Sequence, residues 1–287
     1  MRAIYKKELR VCALSLTGPL AAAVILLVTG LMFRYYNLYN GVLTFHYAVS
    51  NSALVFYIAV PVLTMRTFAD EKRLKTDQLL FSAPVTLRSV VLGKYLALVT
   101  VFAVPVAVMS LYPLIMRALG EETLLWDYTC ILAFFLMGCA YLSVGMFISS
   151  CTESAVIAAM LSVVFIFATQ MLSSVFTMIS ASALTALLFL IILAAFAALI
   201  VYLMTKYAVL GIAAFAVLAC VCAAAYFLRP DWFSGRTESV LRVLDFSTHF
   251  SDFAGGVFSV PNLLFFVTYM AAGVILTVQS LDRRRWS

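Results

Sequence analysis

Charged residues are scarce in this chain of 287 residues, at 11% of the sequence, while apolar residues account for 65%. Soluble domains carry about 25% charged and about 45–50% apolar residues. A water-soluble fold cannot hide this much hydrocarbon, because its own surface has to carry polar groups. The scarcity of charge excludes a soluble globular protein and predicts a chain whose main solvent is lipid.

Ionisable side chains are almost absent from the middle of the long apolar runs. Glu153, Lys94 and Lys206 lie near the ends of such runs, and Gln170 is the main polar side chain well inside one. Ion-coupled carriers and proton pumps place ionisable groups within the membrane to bind the coupling ion. Their near absence argues against a secondary transporter and against a protease that cuts within the membrane.

Sequence signatures of catalysis and metal binding are missing as well. No Gly-x-x-x-x-Gly-Lys-Ser/Thr segment occurs, so we expect no ATP binding through a P-loop. The six cysteines lie in or beside apolar runs and form no Cys-x-x-Cys pair, which favours a packing role. His249 and Asp252 are too few for a metal site, which needs three or four ligands. We therefore expect that the chain is not an enzyme and holds no metal or cofactor of its own.

Long apolar runs dominate what is present. A helix needs about 20 mostly apolar residues to cross a hydrocarbon core about 30 Å thick. Such runs occur at 11–33, 48–65, 90–116, 128–150, 155–179, 183–204, 207–228 and 260–281. The predicted fold class is therefore all-α, a polytopic transmembrane helical bundle of about eight spans. Six spans are the alternative, and only Thr205-Lys206-Tyr207 separates the sixth run from the seventh.

Lysine and arginine are concentrated on one side of this topology. Most of the 19 basic residues, and every lysine, fall at the N-terminus, between the second and third spans, at Lys206 or at the C-terminus. Short loops rich in Lys and Arg face the cytoplasm. We predict that both termini are cytoplasmic and that the chain is a multi-pass protein of the cell membrane. The net charge of +6 then reflects topology rather than a surface for nucleic acid.

The polar connections divide the chain into an N-terminal interfacial segment and one transmembrane domain. Residues 1–10 form an amphipathic segment that suits a helix lying in the membrane interface. Residues 11–287 form a single transmembrane domain. Within it, the cytoplasmic loop 66–89 and the extracytoplasmic segment 229–259 are the connections long enough to have structure of their own.

In the interfacial segment, Lys6 and Lys7 fall on the basic half of the helical wheel, whereas Glu8 falls on the apolar half. Two interpretations of Glu8 remain open. The carboxylate reaches water or a local lysine, or it forms a salt bridge with an arginine of the cytoplasmic loop such as Arg73.

The cytoplasmic loop carries the functional argument. Residues 69–82 are predicted to be helical, with Glu71 and Lys75 as an ion pair at i, i+4. Pro84 ends this helix, because proline disfavours a helical residue before it and removes a donor. The end of the helix is apolar, at Leu79, Leu80 and Phe81. A solvated loop has no use for such a surface, which indicates a docking site for another protein.

Several short motifs in and around this loop resemble those of type-2 ABC exporter permeases, in particular the gliding-motility-type subgroup. The loop motifs are Glu71-Lys72-Arg73, Thr76-Asp77, Leu79-Leu80, Pro84-Val85 and Leu92-Gly93-Lys94. Flanking ones are Lys7-Glu8-Leu9 before the first span and Arg284-Arg285-Trp286 near the end. The sequence departs from the family at Lys75, where glycine is common, and in its span count, since many members have six.

This resemblance implies a role for the loop as the coupling helix, which sits in a cleft of a separate ATP-binding subunit. The residues that would carry this role are Glu71, Arg73, Lys75, Thr76, Asp77, Leu79, Leu80 and Pro84. ATP and Mg would be bound by the partner subunit, and a second copy or a related permease would complete the pathway. The function implied is export of an unidentified hydrophobic or amphipathic substrate by alternating access.

The extracytoplasmic segment contains a second pattern. Phe246, Phe250, Phe253 and Val257 recur at helical spacing and predict one apolar helix face. By analogy with the resembled family, Phe246, Phe250 and Phe253 form a candidate outer gate. The alternative is an interfacial helix that merely covers the bundle.

Two other functions remain as alternatives. One is an ion-coupled secondary transporter, which would require a buried coupling site. The other is a membrane anchor or assembly factor that recruits an ATPase without transporting anything.

Overall fold

A computed structural model describes residues 2–76, 86–120, 124–178, 216–217 and 245–286, with the backbone alone at 172–178 and 284–286. Regular structure in these ranges is helical throughout. The α-helices are α1 (Arg2–Leu14), α2 (Thr17–Phe33), α3 (His46–Asn51), α4 (Phe56–Thr64), α5 (Ala69–Arg73), α6 (Leu87–Met109), α7 (Tyr112–Ala118), α8 (Leu124–Cys151), α9 (Ala155–Met178), α10 (Phe246–Ala254) and α11 (Val260–Trp286). A π-helical turn, Arg34–Tyr39, continues α2, and a 3₁₀ turn, Ser52–Val55, joins α3 to α4.

The chain divides into two compact units. The first comprises Met1–Phe167 with His249–Ser287, and the second comprises Ala168–Thr248. In the second unit, the described residues are the last part of α9, residues 216–217 and residues 245–248 at the start of α10. The coupling-site geometry below lies in the first unit, whereas Phe246 of the candidate outer gate belongs to the second.

Within the described ranges, five helices are long and apolar enough to cross a membrane. They are Thr17–Tyr39, His46–Arg73, Leu87–Ala118, Leu124–Cys151 and Val260–Arg283. These confirm a helical membrane protein and coincide with five of the predicted runs. The run at 155–179 forms α9, which is apolar over Ala155–Met171. The predicted span 183–204 lies outside the described residues, and of the predicted span 207–228 only residues 216–217 are described.

The predicted start of the first span is wrong. α1 continues to Leu14, four residues beyond the predicted interfacial segment, and the span begins at Thr17. Between them the chain turns sharply, and the Ser15 hydroxyl donates to the carbonyl oxygen of Cys12 at 3.3 Å. A Cβ atom at Gly18 would lie 2.2 Å from that same oxygen, so the turn requires glycine. Hydropathy alone did not reveal this break, because the residues on both sides are apolar.

α8 is the central helix of the first unit and contacts α4, α6 and α11. Its contact with α11 is close enough that a Cβ atom at Gly273 would lie 2.5 Å from Ser143 Oγ. The Ser143 hydroxyl also donates to the carbonyl oxygen of Tyr269 on α11 at 3.2 Å. Small residues let helix backbones approach closely in lipid, where packing replaces the hydrophobic drive. α8 is therefore the helix on which the elements at both ends of the first unit are described below.

At the N-terminal end of α8, aromatic rings and one carboxylate hold the helices together. Phe33, Phe45 and Tyr112 pack with ring centroids 4.8–5.8 Å apart, and this cluster is called the aromatic end. Asp127 of α8 is fully buried there. Its carboxylate accepts the backbone N–H groups of Phe45 at 3.2 Å and His46 at 2.8 Å, at the start of α3. The opposite end of α8 carries the candidate site.

Candidate coupling site at the charged end

The segment 66–76 that follows α4, called the coupling segment below, is fixed at its start by Ser149 near the end of α8. The backbone N–H groups of Phe68 and Ala69 both donate to Ser149 Oγ at 3.2 Å. The same hydroxyl donates to the carbonyl oxygen of Met65 at 3.2 Å. The first N–H groups of a helix have no partner inside the helix. Ser149 supplies that partner and so seats the start of α5 on α8.

Lys72 adds a second attachment to the same helix end. Its side chain is buried, with 7% exposure for the residue, and its ammonium group donates to the carbonyl oxygen of Ser150. The hydroxyl of Ser280 on α11 donates to that carbonyl at 3.3 Å. A positive charge is favourable at a helix C-terminus, where carbonyl groups lack partners. One carbonyl oxygen therefore joins α5, α8 and α11.

Lys94 of α6 joins the coupling segment to α1. Its ammonium lies 2.7 Å from Glu71 Oε1 and 3.3 Å from Glu8 Oε1, and it donates to the carbonyl oxygen of Thr67 at 3.1 Å. The ammonium therefore donates hydrogen bonds to Glu71 and Thr67 and forms an ion pair with Glu8. The Lys94 side chain is only 3% exposed. Glu8, Glu71 and Lys94 are called the ionic hub, and with Lys72 and Ser149 they define the charged end.

Of the two interpretations of Glu8, the salt bridge with Arg73 is wrong, because the Arg73 guanidinium lies 3.6 Å from Asp70 Oδ1. The local lysine of the other interpretation, Lys7, lies 3.9 Å from Glu8, but the closer cation is Lys94 at 3.3 Å. The predicted Glu71–Lys75 pair is wrong as well, because Glu71 also pairs with Lys94. Both errors have one cause, since the partner comes from α6 and no local spacing rule reaches across that separation.

The predicted continuous helix over 69–82 is also wrong, because α5 ends at Arg73. Lys75 has a φ of +55°, and its N–H donates to the carbonyl oxygen of Lys72 at 3.2 Å. The Thr76 N–H donates to the carbonyl oxygen of Glu71 at 3.0 Å. These two bonds form a Schellman motif, in which the left-handed position is usually glycine. The chain thus has lysine at the position where the resembled family commonly has glycine.

The predicted coupling residues fall into two groups. Glu71 lies in the ionic hub, whereas Arg73, Lys75 and Thr76 at the C-terminal end of the coupling segment are exposed, beside the exposed Leu74. The other predicted coupling residues, Asp77, Leu79, Leu80 and Pro84, lie outside the described residues. Sequence reasoning did not assign a site role to Lys72, Lys94, Ser149 or Ser150. The signal for Lys94 was its place in the Leu92-Gly93-Lys94 motif.

α1 packs on α6 rather than presenting all of its apolar side to lipid. A Cβ atom at Gly93 would lie 3.2 Å from Ile4, and the Tyr5 hydroxyl is 3.0 Å from Thr100 Oγ1. Lys6 and Lys7 are exposed on the other side of α1, as the amphipathic pattern predicted. α1 is therefore attached to the bundle at three successive places, of which the ionic hub is one.

A cleft of about 300 Å³ lies between α1, the coupling segment and α6. Its lining includes the ionic hub, Cys12 and the exposed Arg66. Burial raises the pKa of the Cys12 thiol, the Glu8 carboxylate raises it further, and the Lys94 ammonium lowers it. The pKa of the Cys12 thiol therefore depends on the charges of Glu8 and Lys94.

The three residues of the candidate outer gate lie on α10. Phe246, Phe250 and Phe253 are buried along one helix face, which confirms the predicted periodicity. Phe253 packs edge-on against Phe258, with ring centroids 5.8 Å apart. Val257 does not share this face, because α10 ends at Ala254 and Val257 is exposed. A gating role for the three phenylalanines stays a prediction.

The neighbouring polar residues of α10 are held by α11. The Asn262 side chain bonds to His249 Nδ1 at 2.7 Å and donates to Asp252 Oδ2 at 2.9 Å. The His249 ring stacks on Phe265 at 4.0 Å. His249 and Asp252 thus fasten α10 to α11 through Asn262, which the sequence analysis did not single out.

Comparison with known families gives one match. The model of a family described as ABC-2 family transporter protein matches residues 22–205, which is more than half of the chain. The matched range includes the coupling segment and Lys94. A search among curated proteins finds no match.

Proposed function

Because the chain belongs to the ABC-2 family of transporter proteins, we propose that it is the permease of an ATP-driven exporter of the gliding-motility-type subgroup. Family membership makes it a membrane permease of an ABC transporter and implies a separate ATP-binding subunit. The proposal adds the direction of transport, the docking surface and the subgroup. In it, eight spans with cytoplasmic termini place the charged end on the cytoplasmic side.

One observation carries the proposal. The coupling segment is attached to α8 and α6, while Arg73, Leu74, Lys75 and Thr76 at its C-terminal end are exposed. A segment with an exposed end and a firmly bonded base can pass a movement of whatever binds it to the spans. This supports docking of an ATP-binding subunit on residues 66–89.

The mechanism needs no catalytic group in this chain. The partner subunits would hold ATP and Mg and would close on binding them. Each would carry one coupling segment with it, and the spans of two permeases would shift from inward-facing to outward-facing. The scarcity of charge in the spans suits a hydrophobic or amphipathic substrate.

A charge-reversal variant tests the docking surface. Arg73→Glu combined with Lys75→Glu should weaken binding of the cognate ATP-binding subunit at least about tenfold, equal to about 1.4 kcal/mol. The matched control is Lys6→Glu with Lys7→Glu, which reverses two exposed charges on α1. Affinity is measured with the purified permease in lipid nanodiscs. Equal affinity of the two variants would refute the docking surface.

Thiol labelling tests the orientation. A cysteine at Lys75 should react with a membrane-impermeant maleimide only from the cytoplasmic side, and a cysteine at the exposed Tyr39 only from the other. Labelling of both from one side would overturn the topology. Flux of substrate in vesicles that contain the whole complex then separates a transporter from a membrane anchor, which would bind the ATPase without flux.

A further inference from the structure

Three of the motifs that resemble the permease family meet in space through their charged residues. Glu8 comes from Lys7-Glu8-Leu9, Glu71 from Glu71-Lys72-Arg73 and Lys94 from Leu92-Gly93-Lys94. They belong to three different helices, α1, α5 and α6. Docking of an ATPase on the exposed end of the coupling segment does not involve Glu8 or Lys94. The proposed function therefore does not account for the ionic link between α1 and α5.

We infer that Lys94 is a positioning residue that ties α1 to the coupling segment, so that α1 moves together with α5 when an ATP-binding subunit moves that segment. This inference rests on the proposed function, since it requires that something moves α5. It assigns α1 to the moving parts of the permease rather than to its membrane attachment.

The partners of the Lys94 ammonium support this role. It donates one N–H to the Glu71 carboxylate of α5 and one to the carbonyl oxygen of Thr67, just before α5, and it forms an ion pair with the Glu8 carboxylate of α1 at 3.3 Å. Without the ammonium, two carboxylates of like charge would face each other and repel. The distance between α1 and α5 is therefore set by one nitrogen atom that both helices share.

The use of charged rather than apolar side chains in the hub also indicates that the hub positions α1 and is not there only to stabilise the fold. Replacing a buried ion pair by apolar residues of similar size is often neutral or stabilising, and a retained buried pair has specificity of geometry as its best-attested use. Ile4 against Gly93 and Tyr5 against Thr100 already hold α1 on α6. The ionic hub adds the link from α1 to the coupling segment.

The test variant is Glu8→Gln, which removes the α1 link and leaves Lys94 bonded to Glu71 and Thr67. The matched control is Lys7→Gln, which changes the adjacent charge, 69% exposed and 3.9 Å from Glu8. Both are reconstituted in vesicles with the cognate ATP-binding subunit. ATP hydrolysis gives kcat and KM, and a pull-down gives the affinity for that subunit.

We expect Glu8→Gln to lower kcat of the coupled ATPase about tenfold, because it removes the ion pair that ties α1 to Lys94. KM for ATP and affinity for the subunit should stay at the values of Lys7→Gln, since the docking surface is unchanged. A defect in folding or insertion would instead lower the amount of complex and leave kcat per complex unaltered.

A distance measurement tests the joint movement directly. Spin labels replace Lys6 on α1 and Leu74 in the coupling segment, both exposed. Between the nucleotide-free and the vanadate-trapped complex, this distance should stay constant with Glu8 present and should change or broaden in Glu8→Gln. A distance that changes equally in both overturns the inference, as does equal kcat in Glu8→Gln and Lys7→Gln.

A charge reversal gives an independent outcome. Glu8→Lys should uncouple the ATPase more strongly than Glu8→Gln, because two ammonium groups then meet. Equal coupling in Glu8→Lys and Glu8→Gln counts against a direct link. A wild-type permease that binds no ATP-binding subunit refutes the proposed function, whereas one that binds it with no effect of Glu8→Gln refutes the role of Lys94 alone.

Discussion

The two ends of the first unit are held by different chemistry, although α8 runs through both. At the charged end, hydrogen bonds connect the helices: Lys94 bonds to the Glu71 carboxylate, Lys72 to the Ser150 carbonyl and Ser149 to the N–H of Phe68. At the aromatic end, the rings of Phe33, Phe45 and Tyr112 pack on each other at 4.8–5.8 Å. Hydrogen bonds between charged groups are directional and weaken when donor and acceptor shift, whereas apolar packing is non-directional.

In the proposed mechanism, this difference gives the two ends different roles. The end held by directional bonds would move as one body with the coupling segment, whereas the end held by aromatic packing would re-pack as the helices tilt. Asp127 is the exception at the aromatic end, and its carboxylate is used to hold α3 on α8 through backbone N–H groups.

The largest expected effect comes from removing the central charge of the ionic hub. Lys94→Met should lower the free energy of unfolding by about 3–5 kcal/mol, because breaking a buried pair leaves uncompensated charge. Thermal unfolding in detergent measures it. Adding Glu8→Gln and Glu71→Gln should recover most of the loss, since the unpaired carboxylates are then gone. A loss in Lys94→Met smaller than that at Asp127 would break the contrast between the ends.

Removing Asp127 is expected to have a smaller effect. Asp127→Ala leaves the N–H groups of Phe45 and His46 without an acceptor and should cost about 2–3 kcal/mol. Asp127→Asn keeps one acceptor oxygen and should cost less. The same unfolding assay applies, and ATPase coupling should stay near the wild-type value in Asp127→Asn. Uncoupling without loss of stability would show that the aromatic end also transmits movement.

A glycine at position 75 should have a small stabilising effect on the end of the coupling segment. The left-handed conformation costs a non-glycine residue about 1–2 kcal/mol, while glycine loses about 0.5–1 kcal/mol more backbone entropy on folding. Lys75→Gly should therefore gain about 0.5 kcal/mol, seen as slower hydrogen exchange of the Thr76 amide. Leu74→Gly, at a φ of −85°, is the control and should speed that exchange.

The smallest expected effect is on the reactivity of Cys12. The thiolate is the reactive form, and burial together with Glu8 raises the pKa of this thiol. Alkylation should be slow at neutral pH and should accelerate as the pH rises. Glu8→Gln removes one cause of the raised pKa and should speed alkylation at a given pH. Mass spectrometry of the Cys12 peptide gives the rate, with Lys6→Cys as the exposed comparison on the same helix.

The sequence predicted those parts of the fold that depend on local pattern. Apolar run length located the five candidate spans, and the spacing of Phe246, Phe250 and Phe253 predicted one buried helix face. The same spacing wrongly placed Val257 on that face. The pair Gly255-Gly256, with a positive φ at Gly256, indicates that the helix ends before Val257, and the periodicity did not take this into account.

The candidate site was predicted less well because its bonds connect distant parts of the chain. Glu8 and Lys94 lie far apart in sequence, and the partner of Lys72 is a backbone carbonyl of α8. No periodicity specifies such partners. The end of α5 was missed for a related reason, since lysine at position 75 carries no turn signal although its conformation is one that glycine prefers.

The carbonyl of Ser150, which accepts from both Lys72 and Ser280, has a consequence for how the sequence can vary. Every residue type has a backbone carbonyl, so substitution at position 150 cannot delete this acceptor. Ser150 is fully buried, so only small side chains such as Ala, Gly or Cys fit there. In a saturation mutagenesis screen, position 150 should tolerate these small residues, whereas position 72 should accept little besides a long cation.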